Sequence, residues 1–387
     1  MSRLDELIAE LCPDGVEFKT IKEEYTRLKG TPITAGKMKE IDNPDGEIRV
    51  FAGGKTVINA REEDIPNANI TRVPAVLVQS RGVIDFVFYE EPFTFKNEMW
   101  AYTHKERISV KFLYYVLKNN AQHFRDAASG MGSLPQISLP VTEEFKVPVP
   151  PLEVQREIVR VLDNFTFLSA ELSAELSARR KQYEYYRNQM LTFDNESKRM
   201  HLSDVADLFR GEYITQKGSK PGNIPVILGG QEPAYYIDKA NHEGEIVVIA
   251  RSGVSAGFVS YWNQPIYVTD GFGYEAKKGI VTPKYLYYAL KRKEPELNAM
   301  KRGAGVPHVS GEMLGKVELS IPTIAVQERL IKVLDNFETI CSDLSIGLPA
   351  EIEARQKQYE YYRDLLLTFA ETGGTLTTDR QTDRQTG

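Results

Sequence analysis

Seven consecutive residues, Lys181-Gln-Tyr-Glu-Tyr-Tyr-Arg187, recur without change as Lys357-Gln-Tyr-Glu-Tyr-Tyr-Arg363. A repeat of that length does not arise by chance, and it dictates the organisation: the chain is one unit written twice. The duplication reaches well beyond the heptapeptide. Pro150-Pro-Leu-Glu-Val-Gln-Arg-Glu-Ile-Val-Arg-Val-Leu-Asp-Asn-Phe165 matches Pro322-Thr-Ile-Ala-Val-Gln-Glu-Arg-Leu-Ile-Lys-Val-Leu-Asp-Asn-Phe337, and both copies end in Leu-Thr-Phe, at 191–193 and 367–369. The intervening segments align more faintly. Lys111-Phe-Leu-Tyr-Tyr-Val-Leu-Lys118 corresponds to Lys284-Tyr-Leu-Tyr-Tyr-Ala-Leu-Lys291, and Gln79-Ser-Arg-Gly-Val83 to Ala250-Arg-Ser-Gly-Val254. Ala52-Gly-Gly-Lys55 corresponds to Leu228-Gly-Gly-Gln231, and Gly130-Met-Gly-Ser-Leu-Pro-Gln-Ile-Ser138 to Gly303-Ala-Gly-Val-Pro-His-Val-Ser310.

The strongly repeated segments read as helices. Val154, Ile158, Val161, Leu162 and Phe165 fall on one face of a 3.6-residue period, and Val326, Leu330, Val333, Leu334 and Phe337 repeat that face. Pro150 and Pro151 suit the start of the first helix. After Leu168 the first copy carries two tetrads, Ser169-Ala-Glu-Leu172 and Ser173-Ala-Glu-Leu176, where the second has three, spanning 341–352. A tetrad adds about one turn, ~6 Å of axis, while preserving the apolar stripe. Gly347 and Pro349 are expected to kink or interrupt the second helix. Between the helices, short β-rich runs (Ala75–Val78, Val83–Tyr89, Glu245–Ala250, Gly257–Trp262) alternate with Gly/Pro turns, which predicts mixed α/β globular domains. The expected order is a globular domain at 1–148, a helical region at 149–198, a second domain at 199–320 and a second helical region at 321–370. The stretch 371–387, polar after Leu376, is expected to be disordered.

Composition excludes several function classes. Cys12 and Cys341 stand alone, which rules out a disulfide framework or a cysteine-based zinc site. No apolar run approaches the ~20 residues of a membrane span, the N-terminus does not read as a signal peptide, and the expected compartment is the cytoplasm. Net charge is −6, distributed as −3, −1, +2 and −4 over 1–148, 149–198, 199–320 and 321–387. No segment grips phosphates by charge alone, so DNA binding would need a partner or local Lys/Arg clusters. Catalytic groups are not legible. Gly53-Gly-Lys-Thr56 lacks the glycine that a phosphate-binding loop needs at Arg49, and the five histidines have no metal-ligand spacing. Glu144-Phe-Lys146 with Asp126 has the residue types of half a nuclease motif, but an exposed strand edge explains them more simply.

A duplicated pair of divergent α/β domains alternating with near-identical helices resembles the DNA-specificity (S) subunit of type I restriction–modification systems. The resemblance covers 1–370 and rests on Pro-Pro-Leu-x-x-Gln-Arg-Glu-Ile at 150–158 and the Leu-Asp-Asn-Phe of both helical regions. The Ser-Ala-Glu-Leu tandem at 169–176 is similar to the four-residue repeats of one subgroup. The resemblance implies a mixed α/β fold with two target-recognition domains and two long helices packed as an antiparallel, coiled-coil-like pair with pseudo-twofold symmetry. It implies a non-catalytic chain that reads a split, asymmetric site in double-stranded DNA, its helices acting as a ruler and docking two methyltransferase subunits. Those subunits would carry S-adenosylmethionine and methylate adenine, restriction/translocase subunits would complete the nuclease, and this chain would bind no cofactor or metal itself.

Candidate contacts follow. Arg81 and Arg251 sit in Ser/Gly-rich turns after predicted strands, where a guanidinium could reach guanine or phosphate or else form a surface salt bridge. Gln136 and His308 occupy equivalent places after Gly-rich loops and could read base edges or merely brace turns. Lys55, Gln231, Arg125 and Arg302 are further Gly-adjacent or loop candidates, whereas Lys118 and Lys291 read as a solvated helix face. Tyr183, Tyr186, Arg187, Tyr359, Tyr362 and Arg363 could pack helix on helix. Identity of the whole heptapeptide, charges included, favours a shared partner-docking surface.

Overall fold

Alternation along two central strands organises each half of the molecule. The computed structural model describes residues 3–54, 56–129, 134–192, 197–228, 232–303, 306–342 and 347–369. These fall into two compact units, Met1–Glu171 with Glu353–Gly387, and Leu172–Ile352. In the first unit the strand Ala75–Gln79 is buried on both faces. Val76 and Val78 pack with Phe112, Leu113 and Val116 of the helix Arg107–Asn119. Ala75 and Leu77 point the other way, into Phe51, Phe93 and Phe95. Successive side chains leave a strand on opposite faces, so an unbroken apolar run is what a strand needs when both its faces are covered. The second unit repeats the device. In Ile246–Ala250, Val247 and Ile249 meet Leu286, Ala289 and Leu290 of the helix Pro283–Arg292, while Ile246 and Val248 meet Ile227, Ile266 and Val268.

The two units share one topology, strand for strand. The first has a four-stranded antiparallel sheet in the order Thr26–Lys29, Trp100–Thr103, Ala75–Gln79, Asp85–Tyr89. Its second sheet orders Val57–Ala60, Ile48–Phe51, Phe93–Phe95, the last pair parallel. The second unit has Ala206–Arg210, Gly271–Ala276, Ile246–Ala250, Val259–Trp262, and then Tyr235–Ile237, Ile224–Ile227, Tyr267–Val268, again with a parallel last pair. A two-stranded ribbon closes each domain at its chain ends, Phe18–Thr20 on Lys146–Pro148 and Lys198–His201 on Glu318–Ile321.

The first helical region is a 39-residue helix, Leu152–Met190. Pro151 stands just before it and accepts from the N–H groups of Val154 and Gln155. Val154, Ile158 and Leu162 are buried in the first domain's core, together with Leu366, Leu367 and Phe369 from the second copy's helical region. In the second unit Leu334 is buried with Leu191 of the first copy's region. Each domain is thus sealed by the start of its own helical region and the end of the other copy's. The second region comprises the helices Ile324–Ser342 and Gly347–Thr368. Gly347 and Pro349 stand in the first turn of the latter, where proline's missing N–H has no helical partner to lose. The expected disordered stretch 371–387 lies outside the described residues. Among those described, no helix is long and apolar enough to cross a membrane, and no three His, Cys, Asp or Glu side chains gather as a metal site.

Candidate nucleic-acid interface

Beyond its last ladder residue the strand Ala75–Gln79 continues into Ser80-Arg81-Gly82, and there it meets a second segment. The Ile137 N–H donates to Ser80 O at 2.9 Å and the Gly82 N–H to Pro135 O at 2.8 Å. These two bonds bracket Arg81 and Gln136, making them a non-hydrogen-bonded antiparallel pair whose side chains share a face. Gln136 in turn exchanges both backbone bonds with Ser129, at 3.0 and 3.1 Å. The result is a row of three exposed side chains, Arg81, Gln136 and Ser129. Gly82, at φ +80°, adopts a left-handed turn that any other residue would strain to enter.

The second unit builds the same row with different residues. The Val309 N–H donates to Arg251 O and the Gly253 N–H to Pro307 O, both at 2.9 Å, which pairs Ser252 with His308. His308 exchanges backbone bonds with Arg302 at 2.9 and 3.0 Å, and Gly253 has φ +78°. The row reads Ser252, His308, Arg302, with the Ser252 hydroxyl donating to the Asp270 carboxylate. Sheet register supports this equivalence independently: Val76 opposes Tyr102 as Val247 opposes Tyr274, so Ser80 corresponds to Arg251 and Arg81 to Ser252.

The register agrees with the aligned segments, in which Arg81 and Arg251 are one position out of step. Arg251 occupies the place of Ser80, which is buried and donates its hydroxyl to Glu98 O at 2.8 Å. The counterpart of Arg302 is Ser129, as the alignment of Gly130 with Gly303 also places it. Arg125 is on the helix Ala121–Asp126 rather than in a loop; its Nε donates to Ile84 O at 3.4 Å, outside the row. Gln136 and His308 form the centres of their rows. Among the described residues Arg81, Arg251 and Arg302 form no salt bridge, whereas Lys118 and Lys291 do, with Asp85 at 2.7 Å and Glu294 at 2.9 Å. Lys291 also lies 4.1 Å from the Phe258 ring centroid, so it is no solvated-face lysine. Lys55 and Gln231 lie outside the described residues. Beside the first row opens a cleft of about 410 Å³, lined by Arg81, Gly54, Leu134, Lys39 and Lys96. Neither lysine stands out in the sequence, because long-range pairing of Ile48–Phe51 with Phe93–Phe95 helps form this wall.

The heptapeptides serve their own fold first. Tyr359 packs against the first domain's core and Tyr183 against the second's. Burial, followed by the Glu338 charge, pushes the Tyr183 hydroxyl well above the usual tyrosine range. Arg187 lies 5.6 Å from the Tyr183 ring centroid and Arg363 5.7 Å from that of Tyr359. Tyr362 stacks on Phe165 at 5.6 Å, and Tyr186 on Phe337 at 6.5 Å. The Leu-Asp-Asn-Phe motif supplies those phenylalanines and also a polar lock. The Tyr115 hydroxyl donates to Asp163 at 2.5 Å beside Lys111 at 2.8 Å, while Tyr288 donates to Asp335 beside Lys284 at 3.4 Å. Within each heptapeptide the first two residues and the Glu-Tyr-Tyr are exposed, while the first tyrosine and the arginine are half-buried.

A family model described as the type I restriction modification DNA specificity domain matches the chain twice, over residues 13–179 and 195–354. The chain is 32% identical over 305 residues to a putative type I restriction enzyme specificity subunit of Haemophilus influenzae, covering 71% of this chain and 77% of the relative. It is 28% identical over 406 aligned positions to the EcoR124I/EcoR124II specificity subunit of Escherichia coli, covering 95% and 97%. In fold it is similar to the crystal structure of the type I restriction–modification S subunit from M. genitalium, with a TM-score of 0.59 at 18% identity, covering 92% and 96%. Two family domains, carried on two copies of one topology, bear out the resemblance read from the repeats: the chain belongs to the type I restriction–modification DNA-specificity subunit family.

Proposed function

We propose that this chain is the non-catalytic DNA-reading subunit of a cytoplasmic type I restriction–modification complex, each domain reading one half of a split, asymmetric duplex site. The observation that carries the proposal is the three-position row. The same backbone device presents Arg81, Gln136 and Ser129 in one domain and Ser252, His308 and Arg302 in the other. Arginine can grip guanine O6 and N7 in bidentate fashion, while Gln, His and Ser can read other edges. Identical scaffolds with different side chains suit two half-sites of different sequence. Arg251, Arg125 and, on their sequence position, Lys55 and Gln231 would supply neighbouring backbone contacts.

The exposed faces of the two heptapeptides, including Tyr186 and Tyr362, would dock two methyltransferase subunits. Those subunits would carry S-adenosylmethionine, with restriction/translocase subunits completing the assembly. The helices would set the distance between half-sites, one tetrad adding ~6 Å against ~3.4 Å per base pair. Co-expression with the partner methyltransferase, followed by single-molecule sequencing for methyladenine, tests this reading. A split motif that depends on this chain is expected, with a spacer one to two base pairs longer when Ser-Ala-Glu-Leu is inserted after Leu176. No chain-dependent methylation would refute the DNA-reading role; an unchanged spacer would refute the ruler.

A further inference from the structure

Val83 follows Gly82 and Leu134 precedes Pro135, at the edge of the first row; the same two places in the second unit, after Gly253 and before Pro307, hold Val254 and Val306. All four are exposed: Val83 by 48%, Leu134 by 61%, Val254 by 93% and Val306 by 65%. A single exposed valine needs no explanation. An aliphatic pair at the same two positions of both domains, beside rows whose polar residues have been exchanged, does. Folding does not account for it, because exposure on this scale means that the side chains contribute little to either core.

Their surroundings identify the occupant. Arg81 stands two residues from Val83; Arg251 and Arg302 stand three and four residues from Val254 and Val306, and none of the three arginines is neutralised by a carboxylate among the described residues. Small branched aliphatic groups near an unneutralised cation in each domain suit a polyanion that also displays methyl groups. Duplex DNA does so in its major groove, where thymine presents its C5-methyl beside the polar edges that the row would read. Three of the four are valines, too short to serve as a wedge between base pairs, a task that falls to larger side chains; Leu134 alone has that length, and its valine counterpart Val306 does not. We infer that Val83 with Leu134, and Val254 with Val306, are specificity contacts to thymine methyl groups, one pair for each half-site. This inference rests on the DNA-reading function proposed above. It adds to the polar row an apolar test for thymine, and every half-site that contains a methylatable adenine contains a thymine opposite it.

The test uses the complex of this chain with its methyltransferase subunits and duplexes bearing the motif found by methyladenine sequencing. Thymines are replaced by deoxyuridine in one half-site at a time, and binding is measured by titration. Binding by the native complex should weaken about fourfold for each contacted methyl removed. The double variant V254S/V306S should lose this sensitivity in one half-site only, and V83S/L134S in the other. Uracil-insensitive binding by the native complex would overturn the inference without any variant, and unchanged sensitivity in both variants would overturn it as well. So would enhanced 2-aminopurine fluorescence at the contacted step, which reports unstacking by insertion instead of methyl contact. In each of these cases the motif itself still stands; failure to find any motif would instead overturn the DNA-reading function.

Discussion

The duplicated Val-Gln at the head of each helical region places one residue type in two environments whose energetics should differ sharply. Gln327 is fully buried, and both ends of its amide are used. Its Nε2 donates to Pro322 O at 2.9 Å and Ile280 O at 3.0 Å, and its Oε1 accepts from the Thr282 N–H at 2.9 Å and the Thr282 hydroxyl at 3.3 Å. It thereby caps the helix Pro283–Arg292, whose N-cap Thr282 makes no side-chain cap of its own. Gln155 is equally enclosed, but it donates only to Pro150 O at 2.8 Å and leaves Oε1 buried with no hydrogen-bond partner among the described residues. The reason is local. The corresponding helix, Arg107–Asn119, starts three positions earlier relative to the repeat, so Ser109, in the place of Thr282, is already inside it. Replacing Gln327 with Met strands three backbone groups at about 1 kcal/mol each, a loss of about 3 kcal/mol. Replacing Gln155 with Met removes one bond worth about 1 kcal/mol but also an unpaired acceptor of similar cost, a net change of about zero. At roughly 2–4 °C per kcal/mol, Q327M should melt 6–12 °C below Q155M. Calorimetry measures the difference, and hydrogen exchange over 283–292 and 107–119 assigns it to a unit. Equal losses at the two positions would refute the reasoning and place a buried water on Gln155 Oε1.

Two further expectations follow from the site and the core. Arg81→Ala and Arg302→Ala should each weaken discrimination at one half-site only, by about five- to a hundredfold, the range of one good arginine–guanine contact; methyladenine sequencing would detect the relaxed position, and relaxation of both half-sites by either variant would contradict the row. Tyr25, Tyr102, Tyr115, Tyr183 and Tyr288 are all held neutral above the usual tyrosine range, chiefly by burial. Their contribution should be intact below about pH 10, where tyrosines ionise in the unfolded chain, and be lost as pH rises further, so a flat Tm between pH 10 and 11 would contradict it.

What the sequence disclosed was the local part of the structure. Periodicity found the strand Ala75–Gln79, the helix Leu152–Met190 and their repeats because a covered strand and an amphipathic helix write their faces into nearby residues. The rows were not legible because they join segments far apart in sequence, Arg81 to Gln136 and Ser252 to His308. Similarity between Gln79-Ser-Arg-Gly-Val83 and Ala250-Arg-Ser-Gly-Val254 drew attention to two arginines and already set them one position apart; the register adds that they therefore alternate in direction. Identity of the heptapeptides pointed to an external partner. Two of the seven positions have an internal cause, since Tyr183 and Tyr359 each close a core and Tyr186 and Tyr362 each stack on a phenylalanine of the other copy.

The displacement of arginine within the row gives duplication a physical route to a new specificity. Arg81 stands at one end of its row and Arg302 at the opposite end of the other, with Gln136 or His308 between. Neighbouring strands are ~4.8 Å apart, so moving the guanidinium from one end to the other shifts it by about 10 Å. Laid along a groove, that is about three base-pair steps at 3.4 Å each. Two substitutions, Arg to Ser at one end and Ser to Arg at the other, would therefore relocate the proposed guanine contact without altering a strand, a turn or a backbone hydrogen bond. Cores such as that around Val247 and Leu286 tolerate little change, since each side chain there packs against many others. The row lies outside those cores. A chain built this way can keep the scaffold, sealing helices and polar locks constant while the three row positions diverge independently in each half.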